Sequence, residues 1–214
     1  RSSDLKIAST SAPMFKKLSL ELGGKNPNIV FEDADFDNAV KMATKAAFSN
    51  QGQICLCGSR LFVQEDIYDK FKSDFLEKTR NLVVGDPRDD SSNLGAIVSK
   101  QHMEKILSKI EQARNEGGKV LTGGKRLQLE GELKNGYYIE PTIIEGLPAD
   151  CQTNHEEIFG PVVSMIPFKS EEDDDKEMKK KNCSPQTQTN DDDNRSLTSA
   201  AAATATENNI GDNR

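Results

Sequence analysis

Beyond Phe168 the chain contains no aromatic residue, and that boundary limits where a core can form. An acidic run from Glu171 to Asp175 gives way to a basic run ending at Lys181, then to repeats of Asn, Asp, Thr and Ala. Such residues bury too little apolar surface to offset the entropy lost on ordering them, so residues 171–214 read as a disordered tail. The tail also accounts for a hydrophobic content of only 35% in a chain of 214 residues. One buried core is expected, built from the segment that precedes it.

Within that segment the apolar spacing alternates between the periods of strands and helices. The runs KLSLEL (17–22) and NIVF (28–31) read as two strands separated by Gly23-Gly24 and the Asn26-Pro27 breaker. Asp35 stands as an N-cap before Phe36, Ala39, Val40, Ala43, Ala46 and Ala47, which share one helical face ending near Ser49-Asn50. RLFVQE (60–65) reads as a strand, and Asp66 as the cap of a helix that stacks Ile67, Phe71 and Phe75 four apart. Ser99 opens a helix carrying Met103, Ile106, Leu107 and Ile110, stopped by Gly117-Gly118 and followed by a strand at KVLTG. YYIEPTII and PVVSMIPF read as extended, and their prolines predict sheet edges or strand ends. Strands alternating with helices imply an α/β sheet.

The net charge of −7 and pI near 5 argue against a nucleic-acid partner, since no basic face is needed to place the lysines and arginines. The N-terminus, Arg1-Ser2-Ser3-Asp4, has no start methionine and no apolar run of signal-peptide length, so a cytoplasmic location with no membrane partner is expected. Cys55, Cys57, Cys151 and Cys183 form no CxxC pair and read as thiols. With only His102 and His155 beside them, they match no zinc-ligand spacing, and no metal is expected.

Two segments carry candidate chemistry. FSNQGQICLCGSR places Cys55 in a glycine-bracketed loop between a helix and a strand. There backbone amides could favour a thiolate and a developing oxyanion, although a small buried cysteine would give the same pattern. LSLELGGKNP carries Glu21 between Leu20 and Leu22. A carboxylate so placed is either solvated, paired, or raised in pKa for proton transfer. Neither segment decides between these readings by itself. Cys57, two residues after Cys55, reads as packing, and His155 as a loop histidine.

LELGGKNP resembles the glutamate signature of the aldehyde dehydrogenase family, and FSNQGQICLCGSR resembles its cysteine signature, in the family's order. EEIFGPVV (156–163) is similar to the family's cofactor-binding stretch, and the likeness runs from about Lys16 to Ser170. The resemblance implies an α/β fold like the family's catalytic domain, incomplete here. It implies Cys55 as the nucleophile that attacks an aldehyde and Glu21 as the base that activates the hydrolytic water. It further implies that NAD, with NADP left open, meets the backbone of Leu22 and Gly23, that Glu157 holds ribose hydroxyls, and that Phe159 lies beside the nicotinamide. Among subgroups, the signatures most resemble those of 2-aminomuconic or hydroxymuconic semialdehyde dehydrogenases, and family members are homo-oligomers.

Family members are much longer. Residues 1–15 would be the end of the cofactor-binding domain, 16–170 part of the catalytic domain, and 171–214 a tail of alien composition, expected from a truncated or misread gene. The family's cofactor-binding lysine and the asparagine completing its oxyanion hole would then lie outside the chain. The competing expectations are a non-catalytic truncated subunit and residual thioesterase-like chemistry at Cys55 and Glu21.

Overall fold

The computed structural model describes residues 2–170. The expected disorder of residues 171–214 and the state of Cys183 therefore lie outside the described residues. Five strands form the main sheet: β1 (Pro27–Val30), β2 (Arg60–Gln64), β3 (Lys119–Thr122), β6 (Thr142–Glu145) and β7 (Val162–Phe168), in the order β1-β2-β7-β6-β3. The first three pairings in that order are parallel, and only β3 runs antiparallel to its neighbour β6. A separate ribbon pairs β4 (Arg126–Leu127) with β5 (Tyr138–Ile139).

Helix α1 (Ser2–Ser11) precedes the sheet. Helix α2 (Phe36–Phe48) begins where Asp35 accepts a hydrogen bond from the Asn38 amide, the expected cap. Helix α3 (Glu65–Arg80) starts two residues earlier than its sequence suggests: Gln64 and not Asp66 is the N-cap, and Glu65 and Asp66 sit in the first turn, where their charge suits the helix dipole. Helix α4 (Lys100–Asn115) is capped by the Ser99 hydroxyl, which accepts from the His102 amide at 3.2 Å. A single turn, α5 (Gln152–His155), leads towards β7 and leaves His155 exposed.

The period-two alternation of strands splits the core into faces. Leu61, Val63, Ile143, Val163 and Met165 pack with Val40, Ala43, Ala47, Phe48, Phe71 and Phe75 from α2 and α3. Ile144 and Val162 point the other way, where Met103, Ile106 and Ile110 of α4 cover them. Phe62, Ile166 and Phe168 form a third cluster with Ile29. Phe168 is thus the last buried residue of the core among the described residues.

Two expectations need correction. KLSLEL is no strand: residues 16–26 have no regular secondary structure, and Leu20 and Leu22 are 50% and 55% exposed. Alternation marks a strand only where a partner edge and a covering layer exist, and this run has neither. PVVSMIPF is also no sheet edge, because β7 is the central strand. Its prolines fit the alternative of strand ends. Pro161 precedes β7, and Pro167 lies past Met165, the last β7 residue that β6 reaches, so its missing N–H removes no bond to β6.

Candidate active site

The cysteine loop leaves α2 through three consecutive left-handed residues, Asn50, Gln51 and Gly52, with φ of 50°, 57° and 68°. Such a run is costly for side-chain-bearing residues and needs outside support. Gln51 supplies it by accepting from the Gly95 amide at 3.1 Å and donating to the Ala96 carbonyl at 3.3 Å. Gln53 accepts from the Val98 amide at 3.2 Å. A Cβ at Gly52 would lie 2.1 Å from the Gly160 carbonyl oxygen, so only glycine lets this loop approach the Phe159-Gly160 turn.

Cys55 follows in the turn before β2 and is half-buried. The Asn26 side-chain amide donates to the carbonyls of Cys55 and Cys57, the latter at 3.3 Å, and the Asn26 carbonyl accepts from the Arg60 amide at 3.1 Å. One asparagine therefore ties the segment bearing Glu21 to the loop bearing Cys55. Glu21 itself is exposed and enters no ion pair or side-chain hydrogen bond among the described residues.

The third segment meets the first at Gly23, where a Cβ would lie 1.9 Å from the Glu157 carboxylate. The carboxylate rests on the bare glycine backbone, and a side chain there would displace it. Phe159 is 37% exposed and sits in the left-handed region at φ 58°. Gly24, Ile54, Cys57, Glu157, Phe159 and Gly160 line a narrow cleft between the segments. Cys57, and not Cys55, belongs to that lining.

Charge is arranged around the cleft. Burial pushes the Cys57 thiol pKa up against the backbone hydrogen bond at Ile54, with Cys55 and Glu157 adding to the shift, which disfavours its thiolate. Lys25 keeps part of its surface in solvent, but its ammonium is enclosed. Burial, then the neighbouring Arg60 guanidinium, draws its pKa from 10.5 down to about 8, against Cys151, Glu157 and Glu156, which favour the cation. The Lys109 ammonium, contacting Glu156, holds that carboxyl below its usual range. Cys151 is pushed up by burial and by Glu116.

The structure thus brings Gly23 against Glu157, places Cys55 on the loop whose Ile54 and Cys57 line the cleft with Glu157 and Phe159, and leaves Glu21 and Leu22 exposed on the irregular segment beside them. A half-exposed Glu157 carboxylate and an accessible Phe159 ring are groups of the kind that could meet the ribose and nicotinamide of a dinucleotide. Asn26 and His102 gained no role from sequence reasoning. Asn26 reads there only as part of the Asn26-Pro27 breaker, and His102 only as one of two histidines that match no zinc-ligand spacing.

A model of the aldehyde dehydrogenase family matches residues 4–185, wider than the span from Lys16 to Ser170 that the three motifs suggest. The 2-aminomuconic semialdehyde dehydrogenase of Mus musculus is 48% identical over 170 residues, covering 78% of this chain and 35% of that protein. The 4-trimethylaminobutyraldehyde dehydrogenase A of Danio rerio is 43% identical, with 78% of this chain and 33% of its own length covered. A crystal structure of betaine aldehyde dehydrogenase from Staphylococcus aureus in complex with NAD+ superposes with a TM-score of 0.76 at 36% identity, over 82% of this chain and 35% of that one. The chain spans about a third of the length of the relatives it matches. With the three motif segments gathered at one end of a mixed α/β sheet, the chain belongs to the aldehyde dehydrogenase family.

Proposed function

We propose that the protein oxidises an aldehyde to a carboxylic acid with NAD or NADP, using Cys55 as nucleophile and Glu21 as base. The observation that carries this reading is the convergence of the cysteine loop, the Gly23 backbone and the Glu157–Phe159 turn on one cleft. The Cys55 thiolate adds to the aldehyde carbon, and the Cys55 backbone N–H helps to hold the resulting oxyanion. NAD, when bound, supplies the hydride acceptor, with Glu157 holding ribose hydroxyls and Leu22 and Gly23 meeting the carboxamide. The acyl group left on Cys55 is released by water, whose proton Glu21 takes as the carboxylic acid departs. Exposure of Glu21 supports this role, since the base has to reach solvent.

A carboxylate-bearing semialdehyde is the preferred substrate class, supported by the 48% identity to 2-aminomuconic semialdehyde dehydrogenase. Homo-oligomers and a cytoplasmic location are part of the same proposal. No described helix is long and apolar enough to cross a membrane. The non-catalytic subunit is the weaker reading, because Cys55 and Glu21 are both present.

The purified chain mixed with NAD and a panel of semialdehydes is expected to produce NADH, read by its absorbance. Cys55→Ala is expected to abolish that signal. Equal NADH from the wild type and Cys55→Ala would overturn the assignment of the nucleophile.

A further inference from the structure

Phe159 is held in a backbone conformation that its side chain disfavours, and nothing within its own turn explains why. Left-handed φ values are unfavourable for a residue with a bulky side chain, so the surroundings have to impose the 58° observed. Two contacts do so. From one side, the bare backbone of Gly52 packs against the Gly160 carbonyl. From the other, His102 on α4 lies 2.6 Å from the Phe159 carbonyl oxygen through its Nε2. A carbonyl only accepts, so Nε2 carries the proton and donates it. The same imidazole meets the Phe159 ring edge-on, with centroids 6.0 Å apart.

The rest of α4 restrains the preceding residues. Lys109, seven positions on from His102, contacts Glu156. Gln112 donates to Gln152 at 2.9 Å, and Glu116 accepts from the Thr153 amide at 3.1 Å. One polar face of α4 therefore grips the chain from α5 to Phe159, and His102 is its contact with the strained residue itself.

We propose that His102 is a positioning residue: its Nε2–H, donated to the Phe159 carbonyl, fixes the left-handed turn that presents the Phe159 ring to the cofactor. The ring's part in cofactor binding rests on the proposed dehydrogenase function, whereas the fixing of the turn does not. Two amides report on the turn, because Val162 N–H donates to the Gly160 carbonyl at 2.7 Å and Thr142 N–H to the Pro161 carbonyl at 2.8 Å.

Amide hydrogen exchange is measured on the 214-residue chain without cofactor, in the wild type, His102→Leu and His102→Gln. His102→Leu keeps bulk without a donor, and His102→Gln restores a side-chain N–H. Exchange at Val162 and Thr142 is expected to rise about five- to tenfold in His102→Leu, the effect of losing one hydrogen bond, and to return towards wild type in His102→Gln. Exchange in α2 is expected to stay unchanged, which separates a local release from general loosening. Unchanged exchange at both reporters in His102→Leu would overturn the proposal, as would an equal rise across α2 and the turn. NAD titration of the same proteins then addresses the cofactor: weaker binding in His102→Leu with recovery in His102→Gln supports presentation of the ring. Equal affinity in all three overturns that part, and no binding by any of them counts against the dehydrogenase reading, leaving the exchange result to decide the turn.

Discussion

Removing the Asn26 amide leaves the carbonyls of Cys55 and Cys57 without the donor that reaches them across 29 and 31 residues of sequence. Asn26→Ala is expected to lower stability by about 1–3 kcal/mol, because two partly buried acceptors lose their partner together. Urea denaturation measures this, and a midpoint equal to the wild type's would mean that water replaces the amide at no cost. The sequence made Cys55, Glu157 and Phe159 readable as candidates because each sits in a segment of recognisable pattern. It did not make Asn26 readable as their link. Local spacing reports what the backbone does near Pro27, and is silent about which distant carbonyls a side chain will meet. The left-handed run at Asn50–Gly52 was similarly legible only as the end of a helix near Ser49-Asn50, since its support comes from Gly95 and Ala96.

Among the elements, α2, α3 and α4 were legible because long amphipathic repeats with capping residues have few other solutions. The strands were less so. KLSLEL alternates as a strand should, yet the sheet begins at Pro27, while PVVSMIPF contains prolines and still occupies the centre. Order across a sheet depends on long-range pairing, which a local pattern does not encode. One polar contact between elements has a pH consequence. At the end of β6, Glu145 accepts from Tyr68 at 2.8 Å and Lys72 at 2.9 Å, both on α3. Burial alone would raise its pKa, but the Lys72 ammonium and the Tyr68 hydroxyl outweigh it and hold the carboxyl below its ordinary value of 4.5. A depressed folded-state pKa contributes stability that is fully present above the unfolded value and lost as pH falls through the folded one. The wild type is therefore expected to lose stability below about pH 4.5 more steeply than Glu145→Gln, which is less stable at neutral pH. Thermal unfolding between pH 7 and pH 3 measures both slopes, and parallel curves would show that this contact contributes nothing.

At the scale of the whole molecule, three short segments far apart in sequence meet beside one sheet, and their order along the chain made the family readable before any coordinates. The position of the core was legible for a simpler reason: aromatic residues stop at Phe168, and so does burial among the described residues. The assembled cleft puts Cys57 in its lining and Cys55 at the neighbouring turn, so the choice between the two sulfurs is the point on which the functional account turns. Burial raises the Cys57 pKa and argues against it as a nucleophile. The most direct measurement is peptide mass mapping of the chain after a short exposure to an activated acetate ester, a reaction that needs no hydride acceptor. The account predicts acetylation of Cys55, its absence in Cys55→Ala, and decay of the acetyl group slowed about a hundredfold or more in Glu21→Gln, as expected for loss of a general base. Acetyl found on Cys57 instead, or an acetyl group that leaves Cys55 equally fast with and without the Glu21 carboxylate, would contradict it.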